Sequence, residues 1–128
     1  MRAVRVVVIG PGASTSLAVL RAEGFFARLR GLLGRETLVH RCGLWISPCN
    51  AVHTVGMRVP IDLVFVDAHG RVLEIEARLA PYRVRFCRGA SGALELAPGA
   101  ASRLGLDRQG ARLAWPGTSS PSSCGAPP

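Results

Sequence analysis

Between Ile61 and Val66 the chain reads Ile-Asp-Leu-Val-Phe-Val, a run too apolar to leave either face of a strand in water, and it stops at Asp67-Ala68-His69-Gly70. A short β-prone run of this kind belongs in the interior of a sheet, and the four residues after it have the composition of a hairpin turn. The return strand is expected over Arg71 to Ala77. There Leu73, Ile75 and Ala77 alternate with Glu74, Glu76 and Arg78, which predicts one buried face and one wet face.

The rest of the chain supplies partners for that hairpin. Ala3 to Ile9 is a β-branched run ended by Gly10-Pro11-Gly12, and Ser16 to Arg21 reads as a second strand. Phe25, Phe26, Leu29, Leu32 and Leu33 recur at helical spacing, which predicts an amphipathic helix from Glu23 to Leu33 stopped by Gly34. Gly43 to Ile46, closed by Ser47-Pro48, is a further strand, as are Ala93 to Leu96 and Ala111 to Trp115, with a helical turn around Ala100 to Leu104. The expected fold is mostly β (α+β), a small barrel or sandwich of short strands capped by one amphipathic helix. Residues 1–115 form a single domain in this reading, and Pro116 to Pro128, rich in Pro, Ser and Gly, a disordered tail.

Composition bounds the function. With 48% apolar residues in 128, the chain can bury a core without disulfides or metal. All sixteen basic residues are Arg, set against eight acids for a formal charge of +8, which favours an anionic ligand or protein partner. The arginines are scattered, however, and a solvated basic surface accounts for them equally well. Aromatic residues are only 5%, which argues against a platform for stacking single-stranded bases. Four irregularly spaced cysteines, Cys42, Cys49, Cys87 and Cys124, suit a reducing compartment. The apolar run Val6 to Ile9 is too short for a signal peptide, and no stretch is long enough to span a membrane. A cytoplasmic monomer without cofactor is expected.

The densest chemistry lies just ahead of the central strand, where Cys49, His53, Arg58 and Asp62 follow one another at intervals of four to five residues. As a nucleophilic site, Cys49 would attack, His53 would lower its pKa and Asp62 would orient the imidazole. As structure, the same residues are a small buried thiol, a histidine satisfied by backbone and an Asp in a local hydrogen bond. A Cys42, Cys49, His53 and Cys87 metal set lacks the paired ligands of a structural zinc site, so no metal is expected. A disulfide from Cys87 to Cys49 or Cys42 is a further alternative. Asp62, set among apolar neighbours, needs Arg58, His53 or a run of backbone N–H groups to be buried at all. Arg30 and Arg35 around Gly-Leu-Leu-Gly form either an anion cradle or a basic helix end. Arg83, Arg85 and Arg88 make the densest basic cluster, an anion or nucleic-acid site or a solvated edge strand.

Three blocks taken in order, Arg30 to Arg35, His53 to Val72 and Leu94 to Leu106, resemble the domain of unknown function 192 family. Pro60-Ile61-Asp62 with Phe65-Val66-Asp67 and Gly70 is the most specific part. The resemblance covers about Leu17 to Trp115 and implies a mostly β fold with one prominent helix and no assigned reaction. Many members carry an export signal. The commoner form has an aromatic-Met-Lys-Asn-Thr block where this chain has His53 to Met57, so the resemblance implies a branch with its own Cys and His. The leading functional reading is a small binding or accessory domain without catalysis, its groove ordered around Asp62, Arg58 and His53. The alternatives are a thiol-dependent hydrolase or transferase using Cys49 and His53, and anion or nucleic-acid binding through Arg83, Arg85 and Arg88.

Overall fold

The computed structural model describes residues 2–10, 13–22, 43–55, 57 and 59–115. The helix expected at Glu23 to Leu33, Arg30 to Arg35, Cys42, Arg58 and the tail 116–128 lie outside the described residues. The described strands are β1 (Arg2–Gly10), β2 (Ala13–Ala22), β3 (Gly43–Ile46), β4 (Ala51–His53), β5 (Ile61–Val66), β6 (Val72–Leu79), β7 (Val84–Phe86), β8 (Gly92–Leu96) and β9 (Arg112–Ala114). One short helix, α1 (Ala100–Arg103), follows β8. Among the described residues no helix is long and apolar enough to cross a membrane.

Seven strands form one sheet in the order β6-β5-β8-β3-β2-β1-β9, and β4 pairs with β7 in a separate ribbon. β1 and β2 form a long hairpin from Arg2 opposite Arg21 to Gly10 opposite Ala13. The sheet is mixed, since β2 and β3 run parallel while the other neighbours are antiparallel. It curls until its edge strands touch, with Arg71 bridging Arg112 and the Leu113 N–H donating to the Gly70 carbonyl at 2.7 Å. This contact involves only the start of β6, so the sheet is open and not a closed barrel.

β5 and β8 are buried along their whole length because both faces of the sheet are covered. Ile61, Leu63 and Phe65 face a core cluster with Cys49, Val52, Met57 and Cys87, which the ribbon brings down onto the sheet. Val64 and Val66 face the other way, into a cluster with Val6, Val8, Ala100, Ala101, Leu106 and Leu113. Fully buried Phe65 holds the first cluster together, and its truncation to Ala would cost about 3–5 kcal/mol.

The clean alternation expected of the return strand is not observed. Leu73 is 40% exposed and Ala77 is also exposed, whereas Glu76 is half-buried. The register between β5 and β6 shifts twice, between Ile61 and Leu63 and between Phe65 and Val66. Each inserted residue reverses which face the following side chains point to, so a period of two cannot survive along β6.

Candidate functional site

Asp62 is 1% exposed and sits on the α1 face of β5. Ile61 pairs with Leu79 and Leu63 with Glu76, so two steps on β5 oppose three on β6. The surplus bends β6 at Arg78, whose φ of 53° is left-handed. That frees the Arg78 N–H from the ladder, and it donates to Asp62 Oδ1 at 2.9 Å. Asp62 Oδ2 accepts from the N–H groups of Gly99 at 2.9 Å and Ala101 at 3.0 Å, at the start of α1. These donors would otherwise be orphaned at a helix N-terminus. Asp62 thus caps α1 from a neighbouring strand and fastens the bulge of β6.

The ribbon separates the residues that sequence spacing placed together. Val52 points inward onto the core, while His53, Val84 and Phe86 point outward and are exposed. The His53 Nδ1 accepts the Val55 N–H at 3.3 Å. Cys49 is buried, and its thiol donates to the Ala51 carbonyl at 3.0 Å. Cys49 packs with Ile61, Leu63 and Phe65, on the face of β5 opposite to Asp62. Cys49, His53 and Asp62 therefore do not converge. Cys49 and Cys87 lie in one core cluster and are not joined by a disulfide. Burial, together with the charge and hydrogen bond of the Glu74 carboxylate, pushes the Cys87 thiol up from its ordinary range. Among the described residues no cluster of His, Cys, Asp and Glu could hold a metal ion.

The arginine cluster is divided as well. Arg85 pairs through Nε with Glu76 Oε2 at 3.4 Å and donates to the Val84 carbonyl at 2.9 Å. Arg83 donates to the Tyr82 carbonyl at 3.5 Å, and Arg88 is exposed beyond the strand. The residue that organises this end of the ribbon is Thr54, fully buried and given no role of its own by the sequence. Its Oγ1 donates to the Ala80 carbonyl at 2.7 Å and accepts the Arg83 N–H at 2.9 Å. Its carbonyl accepts the N–H of Tyr82, another residue with left-handed φ.

Side chains from distant strands meet instead where the sheet edges touch. A cleft of about 570 Å³ opens there, lined among others by Arg21, Trp45, His69, Arg112 and Trp115. Trp45 and Trp115 form its aromatic wall, with ring centroids 4.7 Å apart and planes at 57°. The Arg21 guanidinium lies over the Trp115 ring, 5.7 Å from its centroid, within cation–π range. Two glycines make the geometry possible. A Cβ on Gly92 would come within 2.3 Å of the Trp45 ring, and one on Gly70 within 2.3 Å of the Leu113 carbonyl oxygen. Opposite the wall, the Asp67 carboxylate accepts the N–H groups of His69 at 2.8 Å and Arg71 at 2.9 Å, which shapes the turn. The partial burial of Asp67 opposes ionisation, but those two hydrogen bonds and the Arg71 charge hold its pKa below the ordinary carboxylate value.

Sequence reasoning passed over this cleft because its residues come from β1, β2, β3, β9 and the segments between strands. The available signal was that both tryptophans of the chain lie in or directly beside short strands.

A curled, open β sheet with a two-stranded ribbon on one face and a cleft at its seam is the class of domain these features define. The chain belongs to the DUF192 family, described as an uncharacterised ACR, which matches residues 7–115. No match was found among curated proteins. Its fold is similar to that of a protein of unknown function from Novosphingobium aromaticivorans DSM 12444, with 26% identity, a TM-score of 0.74 and coverage of 88% of this chain and 85% of that one. It is also similar to a provisionally assigned transcription regulator from Sinorhizobium meliloti 1021, with 24% identity, a TM-score of 0.76 and coverage of 88% and 93%. The second likeness extends to the fold alone.

Proposed function

We propose that this chain is a small binding domain, without turnover of its own, whose ligand occupies the seam cleft. The observation that carries the reading is the convergence of Trp45, Trp115, Arg21 and Arg112 on one concave space. A recess with apolar walls and a few fixed polar groups is the usual form of a small-molecule site. The condition of the potential reacting groups supports a non-catalytic role. The Cys49 thiol is buried against a carbonyl, the Cys87 thiol is held in its protonated form, and Asp62 is occupied by three backbone donors. A nucleophilic cysteine needs the opposite, a thiolate in an electropositive and accessible setting.

Both tryptophans of the chain line this cleft, so their emission reports on its occupancy. Titration with a panel of small organic ligands should give saturable changes in emission together with a raised melting temperature. A panel that moves neither quantity would sink the proposal. So would hydrolytic or transfer activity that disappears in Cys49→Ser, which would restore the thiol enzyme.

A further inference from the structure

The outer face of the β4–β7 ribbon, none of whose residues lines the seam cleft, carries a chemistry of its own. We infer that this face docks the chain reversibly on an anionic lipid surface. Three observations carry this.

The first is an apolar row open to solvent. Tyr82, Val84 and Phe86 are 64%, 63% and 62% exposed. Val84 and Phe86 point outward from β7, opposite His53 and Ala51 of β4, which are exposed as well. Tyr82 stands in the turn just ahead, where its N–H donates to the Thr54 carbonyl at 3.0 Å. Val55, the residue after Thr54, is also exposed at this end of the ribbon. Scattered apolar residues are ordinary on a surface, whereas a row of them marks a place of contact.

The second is relief. Side chains exposed by more than half stand out from the surface instead of lining a recess. A groove for a peptide buries the residues that line it, but a soft headgroup layer admits projecting ones. Phe86 and Val84 suit its apolar side, and Tyr82, with an apolar ring and a polar tip, suits the boundary with water.

The third is charge. Arg83 and Arg88 bracket β7, and both are exposed. Among the described residues the arginine of this segment held by a carboxylate is Arg85, 3.4 Å from Glu76. Arg83 donates to the Tyr82 carbonyl, which leaves its charge intact. Guanidinium groups beside an apolar row attract anionic headgroups, and the formal charge of +8 on the whole chain adds to that attraction. The same charge opposes a second copy as the occupant, because a symmetric contact would set the arginines of two basic faces against each other.

The test uses the full chain and its sedimentation with vesicles of phosphatidylcholine, alone or with about 30% phosphatidylglycerol. Binding should be at least about tenfold tighter to the anionic vesicles and should weaken as salt is raised. Val84→Thr combined with Phe86→Thr keeps strand-forming residues at both exposed positions, and should weaken binding about tenfold at an unchanged melting temperature. Arg83→Gln combined with Arg88→Gln leaves the apolar row in place and should weaken binding to the anionic vesicles by about tenfold. An absence of binding to the anionic vesicles would overturn the inference. So would unchanged binding in either folded double variant, which would reduce the effect to the general charge of the chain. A dimer that the threonine substitutions dissociate would assign the face to a second copy. A glutamate–tyrosine copolymer bound more tightly than the vesicles would assign it to an acidic polypeptide, and either result overturns the lipid assignment.

Discussion

The β4–β7 ribbon and the seam cleft each bring arginine, histidine and aromatic side chains to the surface, but they dispose them in opposite ways. Along β4 of the ribbon, residues that are neighbours in sequence diverge in space, with Val52 turned inward and His53 outward. At the seam they are far apart in sequence and converge, because Arg21, Trp45, His69 and Arg112 sit at strand ends and turns around one opening. Consecutive residues of a strand point to opposite faces. Density of chemistry along a strand therefore works against a site, whereas the rim of a curled sheet collects side chains from many strands.

The sharpest way to break this contrast is Asp62→Asn, since Asp62 is the orienting group a ribbon triad would need. Its carboxylate is buried and accepts three backbone N–H groups, so the variant should lose about 3 kcal/mol in urea unfolding. A variant of unchanged stability would show that the carboxylate is available for another role.

Next is Gly70→Ala, which strains the seam alone. A left-handed φ of 85° and a Leu113 oxygen 2.3 Å from the added carbon predict a loss of about 2 kcal/mol with an altered tryptophan emission. Unaltered emission would separate the aromatic wall from the edge contact.

Thr54→Val should act on the ribbon alone, at about 1–2 kcal/mol, because an isosteric side chain leaves the Arg83 N–H without its acceptor. Tryptophan emission and any ligand affinity should stay as in the parent chain, and a change in either would couple the two regions.

A smaller effect is expected at alkaline pH. The Cys87 thiol is raised above 9.0 in the folded chain, so the unfolded chain ionises first. Stability is full below that value and falls as pH rises through it towards the folded pKa. Cys87→Ala should flatten this decline in pH-dependent unfolding, and an unchanged slope would place the titration elsewhere.

The smallest effect belongs to His53→Ala. An exposed imidazole on the outer face should change stability by no more than about 0.5 kcal/mol and leave ligand affinity untouched. A large loss of function in this variant would return the site to the ribbon.

Much of the placement of strands along the chain was legible because it depends on local pattern. The doubly buried β5, the turn after it, the β1 and β2 runs, and the brief helix after β8 all lie where apolar runs and turn residues put them. The requirement that Asp62 find backbone donors also followed from the cost of burying a carboxylate. The donors themselves could not be read, since they come from a bulge in β6 and the start of α1, 16 to 39 residues away. The uneven burial of β6 was hidden for a related reason, because a bulge is a property of two paired strands and not of either sequence.

By itself, then, the sequence determined most of the segments that become strands, though not β4, and that β5 must be interior and Asp62 satisfied by hydrogen bonds. Those outcomes rest on side-chain polarity and local backbone preference, which act over a few residues. Only the tertiary structure decided that Cys49 and Asp62 fall on opposite faces of one strand and that two tryptophans and two arginines share a cleft. That division depends on strand order, register and the curl of the sheet, which are set by pairing between distant segments.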